Sequence, residues 1–332
     1  MSRTARIGLV LALALAALAL PRLVSVPYFL HLIILSLVWT VLAQGQNLVQ
    51  GFSGYVSIAA GGFMGIGAYA SALLTLRLGW PVWLAMGLAP VVTGACALLV
   101  GYPSLRVKGH YFAIVTLAYN LVIVTVLMTY KSLTGGEAGM PHIPRPADLA
   151  VAGWRLSFGG REGYYYLALF AAAVATVGCA LVLHSRVGRV LIAIRQNETL
   201  VDAVGVATWR YKLFAFVASG CLAGLSGALY AHFIGFLNPE PFGADQSMNA
   251  ILAVILGGSR TLIGPVIGAF LVVTLPEYLR VAETYRLVAY GLLLVLATIF
   301  MPRGIAPLLS RVVRAIAARL ASAPRPRPGT TT

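Results

Sequence analysis

Long, uncharged apolar stretches separated by short polar segments run along almost the whole chain. A helix needs roughly 20 apolar residues to cross a hydrocarbon core about 30 Å thick, so each stretch of that length predicts one membrane-spanning helix. The segment 23–76 contains no Lys, Arg, Asp or Glu and is long enough for two. Single helices are predicted at 7–21, 78–105, 109–130, 163–185 and 213–239, and shorter, marginal ones at 246–259, 261–276 and 287–302. The pattern predicts an all-α, polytopic membrane protein of about ten transmembrane helices.

The composition supports that class. Of the 332 residues, 60% are hydrophobic and 10% charged, whereas about a quarter of the residues of soluble proteins are charged. The net charge of +15 has the sign that nucleic-acid-binding proteins carry, but the basic residues lie at the ends of apolar stretches rather than together on one polar face. We therefore interpret the charge as a signal of membrane topology and predict no nucleic-acid partner.

The distribution of Lys and Arg predicts which loops are cytoplasmic. Cytoplasmic loops carry an excess of basic residues, and with the N-terminus inside and ten crossings most of the 24 basic residues fall on the inner side. The C-terminus and the loop 185–212 are then cytoplasmic, and the loop 131–163 is periplasmic. The rule also favours 246–259 as a true crossing, because otherwise the arginine-rich tail from Arg303 would lie outside.

The chain divides into a transmembrane domain, 1–322, and a basic, Pro-rich cytoplasmic tail, 323–332, that we expect to be disordered. The first apolar segment also fits a cleavable secretory signal peptide, and both interpretations stay open. In the periplasmic loop, 131–163, the Gly and Pro content predicts turns rather than a folded domain.

Motifs for covalent chemistry are missing. A P-loop needs G-x-x-x-x-G-K-[ST], and the one lysine followed by Ser or Thr, Lys131, is preceded by Tyr130. The histidines show no H-E-x-x-H spacing and the cysteines no C-x-x-C spacing, so no metal site or disulfide framework is predicted. Acidic residues within the spans are scarce, which disfavours proton-driven transport. We expect no catalytic site and no cofactor.

Uncharged polar side chains within the spans mark a candidate pathway. Such groups cost free energy in lipid, so they face other helices or a pore. The Gly-rich segment 51–69 has the same two explanations, close helix packing or a pathway lining. Hydrogen bonding between helices stays the alternative for each polar residue. The candidate pathway residues are Asn47, Ser53, Tyr119, Asn120 and Asn249.

A charged segment, 185–206, interrupts the apolar chain. Its apolar residues recur at helical spacing, which predicts an amphipathic helix on the inner face. Asn197 and Thr199 are candidate N-caps for a second short helix that begins near Glu198, and Gly205 is a candidate C-cap. The apolar stripe has two explanations, a membrane surface or a groove on a soluble partner.

Several blocks occur in an order that resembles a known family, the LivM-type permease subunits of bacterial branched-chain amino acid ABC transporters. The resemblance extends from about residue 45 to 280. The blocks are Gly54–Ile58, Phe63–Tyr69, Leu105–Ala118, Leu133–Gly136, Ser185–Arg189, Asn197–Glu198 with Gly205, and Leu256–Pro265.

The resemblance implies an inner-membrane permease that imports leucine, isoleucine and valine. It also implies that the chain lies in membrane lipid and assembles with a second, LivH-like permease, two ATP-binding subunits and a periplasmic substrate-binding protein. The loop 185–212 would be the coupling segment that docks on an ATP-binding subunit, with Arg195, Glu198 and Gly205 at the docking surface. Alternatives are a permease for urea, short amides or small carboxylates, a secondary transporter or channel, and a membrane-embedded enzyme.

Overall fold

A computed structural model describes residues 17–21, 26–107, 109–151, 154–278, 291–292, 295 and 304–308. Most of the described chain is helical. The helices are α1 (Pro27–Gln46), α2 (Ala60–Leu76), α3 (Val82–Ser104), α4 (His110–Thr129), α5 (Lys131–Thr134), α6 (Arg161–His184), α7 (Arg186–Gln196), α8 (Glu198–Ala203), α9 (Thr208–Ile234), α10 (Ala244–Gly257) and α11 (Gly264–Tyr278). Shorter elements are a π-helix, Asn47–Ser53, and the 3₁₀ turns Gly136–Ala138 and Glu240–Phe242.

The helix positions confirm the all-α class. Five described helices are long and apolar enough to cross a membrane: α1 together with the π-helix, α3, α4, α6 and α9. α2 and α11 are apolar but shorter, and the two helices expected within 23–76 are α1 and α2. The segment 287–302 is described at residues 291–292 and 295 alone, most of 7–21 lies outside the described residues, and so does the tail 323–332. The count of ten crossings and the sides of the termini therefore stay predictions.

The loop 131–163 has more structure than turns. It contains α5, a 3₁₀ turn and an antiparallel hairpin of β1 (Leu149–Val151) and β2 (Trp154–Leu156), in which Ala150 lies opposite Arg155. Strands of three residues are too short to show the alternation by which a strand is recognised in sequence, so the prediction missed them. A second antiparallel bridge, between Met140 and Leu237, ties the loop to the chain after α9.

The central helix is α9, which packs against α1, α2 and α3. Its contact faces are made of small residues. A Cβ on Gly220 would lie 2.5 Å from the Cβ of Ala97 in α3, and one on Gly227 would overlap the backbone carbonyl of Met64 in α2. In lipid no hydrophobic effect drives helices together, so close van der Waals packing through small residues has to do so. Tight packing is therefore the reason for the glycines here.

The glycine at this contact should be far less tolerant than a glycine that faces outwards. Gly227→Ala should lower the stability of the protein by about 1–3 kcal/mol, because the added methyl overpacks the contact with α2. In α6, Gly178 has no atom within 4 Å of a Cβ position, and Gly178→Ala should leave stability unchanged or raise it by up to about 1 kcal/mol. Thermal unfolding of the two variants in detergent checks this, and equal midpoints would contradict it.

Candidate functional site

The first long helix changes its hydrogen-bonding pattern before it ends. α1 continues into the π-helix, Asn47–Ser53, whose seven residues are all buried. The π-helix stops at Gly54, which has φ 81 and donates its N–H to the carbonyl of Val49. π-helical turns occur often at functional sites because their inserted residue redirects side chains. The residues around this turn bond several other parts of the chain.

Asn47, a predicted pathway residue, holds the connection between α10 and α11. Its Nδ2 donates to the carbonyl of Thr261 at 2.9 Å and its Oδ1 accepts from the N–H of Arg260 at 3.3 Å. One turn earlier, Gln44 donates to the carbonyl of Leu262 at 2.8 Å. These bonds satisfy backbone groups of a non-helical segment that would otherwise be costly in the protein interior.

The other four predicted pathway residues do not share one role. Ser53 donates to the carbonyl of Val49 within its own helix, at 2.6 Å. Tyr119 and Asn249 are half-buried, whereas Asn120 is fully buried. Among the described residues no hydrogen bond joins any two members of the set. No hydrogen bond in the described chain thus links the five, and their place in a pathway stays a prediction.

A different set of polar side chains bonds the backbone just before and at the start of α2. Sequence reasoning did not single out this set. The N–H of Ile58 donates to Thr116 Oγ1 at 3.0 Å, and the N–H of Gly61 donates to Ser247 Oγ at 2.8 Å. Gln46 Nε2 donates to the carbonyl of Ser57 at 3.0 Å. Thr116 and Gln46 carry the only local signal, a polar residue inside an apolar stretch, while Ser247 becomes a partner through folding alone.

The charged segment forms two short helices, as predicted. α7 begins after Ser185, whose Oγ accepts from the N–H of Val187 at 3.1 Å. α8 begins after Asn197, whose Oδ1 accepts from the N–H of Leu200 at 3.0 Å. At its other end Gly205, with φ 83, donates its N–H to the carbonyl of Asp202 at 3.0 Å. The predicted caps Asn197 and Gly205 are confirmed, whereas Thr199, the other candidate N-cap, lies inside α8.

The apolar stripe of this segment packs on the protein itself. Leu191 and Ile194 in α7 are buried, and α7 contacts α6, α9 and the π-helix. Neither interpretation of the stripe, membrane surface or partner groove, is therefore right for α7, because periodicity reveals an apolar face but not what covers it. The exposed apolar surface is on and after α8 instead, where Leu200 is 63% and Val204 72% exposed.

Arg195 joins the end of α7 to the end of the π-helix. Its guanidinium donates to the carbonyl of Gln50 at 3.2 Å and to the carbonyl of Gly51. These are among the carbonyls that a helix leaves unpaired at its C-terminal end, where a cation is favourable. Burial, and secondly the charge of Arg260, lower the pKa of Arg195.

Glu198, the first residue of α8, is held in a largely buried ion pair. Its Oε1 lies 2.6 Å from Lys212 Nζ in α9, with the two side chains 16% and 3% exposed. The hydroxyl of Tyr55 donates to Oε2, and Lys212 Nζ lies 4.6 Å from the centre of the Tyr55 ring. Burial first, and then the bond to Glu198, raise the pKa of Tyr55. Tyr55 and Lys212 are 157 positions apart, so no local pattern predicts that they meet.

A pocket of about 340 Å³ lies where these elements converge, between the end of the π-helix, the start of α4 and the helices α7 and α8. Its border includes Arg195, Glu198 and the predicted pathway residue Ser53. Tyr55, His110 and Ala113 also line it.

Comparison with known proteins places this arrangement in a family. Residues 28–298 match the family described as branched-chain amino acid transport system / permease component. The chain is 31% identical to the high-affinity branched-chain amino acid transport system permease protein LivM of Escherichia coli K12, over 90% of this chain and 74% of that protein. It is 27% identical to LivH of the same organism, over 80% and 90%, and 25% identical to the ribose import permease protein RbsC of Haemophilus influenzae, over 88% and 90%. No solved structure matches the chain.

Removal of the Lys212 charge should destabilise the protein more than removal of an exposed charge. Lys212→Met leaves the Glu198 carboxylate largely buried without its cation, at a cost of up to about 3 kcal/mol. The double variant Glu198→Gln, Lys212→Met should recover most of that loss. Arg186→Met, an exposed site in α7, is the matched control. Thermal unfolding in detergent measures all three, and a double variant no better than Lys212→Met would contradict the pairing.

Proposed function

Because this chain belongs to the family of branched-chain amino acid transport permeases, we propose that it is a membrane-spanning subunit of an ABC importer. The cargo would be leucine, isoleucine and valine, and the membrane a bacterial inner membrane. The observation that carries the mechanism is α8, a short helix with an exposed apolar surface whose first residue is tied to the membrane-spanning helices. The chain itself would perform no covalent chemistry, and ATP would be hydrolysed on partner subunits.

We propose that the coupling segment works in two layers. The outer layer consists of Leu200, Val204 and Gly205, which are exposed and would dock on an ATP-binding subunit. The inner layer consists of Arg195 and Glu198, which contact this chain's own π-helix and α9. Movement of a docked ATPase would then be transmitted to the membrane-spanning helices through the Arg195 guanidinium and the Glu198–Lys212 ion pair. Glu198 would thus act behind the docking surface, whereas Arg195 is an exposed residue that also bonds the π-helix.

The proposed assembly contains a second permease, two ATP-binding subunits and a periplasmic binding protein. Support for the second permease comes from the relatives, since LivM and LivH are separately named permease proteins of one organism and the chain resembles both. Lipid would cover the apolar side chains exposed on the long helices, such as Leu99, Phe170 and Leu181. Such side chains are tolerated on a surface that faces hydrocarbon.

The similarity to a ribose permease keeps a second cargo class open. One permease architecture serves systems named for chemically different substrates, so urea, short amides or small carboxylates are the alternative cargo. A secondary transporter or channel is the alternative mechanism. Uptake by reconstituted proteoliposomes distinguishes both alternatives from the proposal.

The test is uptake by proteoliposomes that contain the full complex encoded with this chain. We expect uptake of radiolabelled L-leucine, L-isoleucine and L-valine that requires ATP and the binding protein. Uptake of urea or a short amide instead, with none of the three amino acids, would overturn the cargo. Uptake that persists without ATP would overturn the ABC mechanism.

Docking through α8 predicts a loss of ATPase association when its apolar surface becomes charged. Leu200→Asp should reduce co-purification of the ATP-binding subunits about tenfold or more, since the docked interface would have to bury an unpaired carboxylate in place of an apolar side chain. Leu133→Asp is the matched control, an exposed leucine in α5, within the predicted periplasmic loop. The ratio of ATPase to permease after affinity purification is measured. Equal ratios for both variants would place the docking surface elsewhere.

A further inference from the structure

One face of α4 leads from the pocket into the interior. His110 and Ala113 border the pocket, and Thr116 and Asn120 follow at helical spacing along the same face of the helix. Thr116 accepts a hydrogen bond from the N–H of Ile58, just before α2. The face therefore connects the pocket with the first turn of α2.

Asn120 is the unexplained residue on this face. Its side chain is 0% exposed, and neither Oδ1 nor Nδ2 has a hydrogen-bond partner among the described residues. A buried polar group without a partner costs about 1–3 kcal/mol, and buried amides in proteins are nearly always bonded. The cost indicates that the amide is kept for a partner other than the described residues.

Asn120 lies against the first turn of α2. A Cβ on Gly62 would be 2.5 Å from Asn120 Oδ1, so only glycine admits the amide at this place. In this turn the N–H of Gly61 is bonded to Ser247, but the N–H of Gly62 makes no hydrogen bond within the described chain. The N-terminal turn of a helix carries a partial positive charge and binds anionic groups.

We propose that the first turn of α2 and Asn120 form a binding site for the α-carboxylate of a zwitterionic amino acid. The Gly62 N–H and Asn120 Nδ2 would donate to the carboxylate. The inference rests on the proposed function and adds where this chain contacts the cargo. In the structure α2 and α4 touch at Gly62 and Asn120, so the path is closed there and the substrate enters when the helices separate.

One candidate acceptor for the ammonium group of a zwitterion lies beside the segment that precedes α2. Gln46 is buried and bonds the carbonyl of Ser57 through Nε2, while its Oε1 has no hydrogen-bond partner in the described part of the chain. An ammonium group needs such acceptors when it leaves water. On the far side of Asn120 the face of α4 becomes apolar, with Ile123 beside Gly62 and Leu127 beside Gly65. An aliphatic side chain fits that surface.

The first experiment measures binding without transport. The purified complex, free of binding protein and nucleotide, is titrated with L-[³H]leucine and competed with 4-methylpentanoate, which is leucine without its ammonium group, or isoamylamine, which is leucine without its carboxylate. We expect saturable L-leucine binding, about tenfold weaker in Asn120→Leu because a hydrogen bond to a charged group is lost. 4-Methylpentanoate should compete at lower concentration than isoamylamine. Unaltered binding by Asn120→Leu, or stronger competition by the amine, overturns the site.

The second experiment distinguishes passage of the amino acid through this chain from the coupling of transport to ATP hydrolysis. In proteoliposomes, Asn120→Leu should lower the L-leucine taken up per ATP hydrolysed about tenfold, because a hydrogen bond to a charged group is lost. Asn120→Ser, which keeps a small polar group, should retain more uptake than Asn120→Leu.

Thr40→Val is the matched control, because Thr40 is buried and bonds the carbonyl of Ser36 in its own helix. Equal uptake by Asn120→Leu and Thr40→Val would overturn the inference and leave the proposed function standing. Failure of the wild-type complex to take up any branched-chain amino acid would overturn the proposed function, and the binding titration still decides the site.

Discussion

The close contact of α9 with its neighbours is the constraint on which the other features depend. Gly220 and Gly227 let the helix lie directly on α3 and α2, and in lipid this packing replaces the hydrophobic effect as the force between helices. The same helix is bonded to another part of the chain near each of its ends. Lys212 binds Glu198 of α8 near its start, and His232 binds the carbonyl of Pro144 in the loop 131–163 at 2.6 Å near its end.

The π-helix after α1 is the second organising element. It receives Arg195 from α7 at its C-terminal carbonyls, and its first residue, Asn47, holds the connection between α10 and α11. The π-helix that Arg195 contacts therefore also holds the connection that leads into α11. The seven residues of the π-helix thus contact both elements, and π-helical turns are frequent at functional sites. This makes the turn a natural point for coupling the two layers of the proposed mechanism.

Buried polar groups divide into two kinds in this protein. Asn47 and Thr116 satisfy backbone groups of non-helical segments, which is the structural role that such residues have inside membranes. Asn120 satisfies none in the described chain. The distinction depends on bonding partners rather than on residue type, since an asparagine occurs in both groups.

Apolar length and charge in the sequence alone determined the all-α class and two helices within 23–76, because a span needs a fixed number of apolar residues. Local chemistry also determined the caps at Asn197 and Gly205, since a cap bonds within one turn of its own helix. Only the tertiary structure decided that α7 buries its apolar stripe and that Arg195 and Glu198 point to the protein's own spans. It alone brought Tyr55 to Lys212 and Asn120 to Gly62. These contacts join distant residues, and periodicity records which face of a helix is apolar or polar but not which surface meets it.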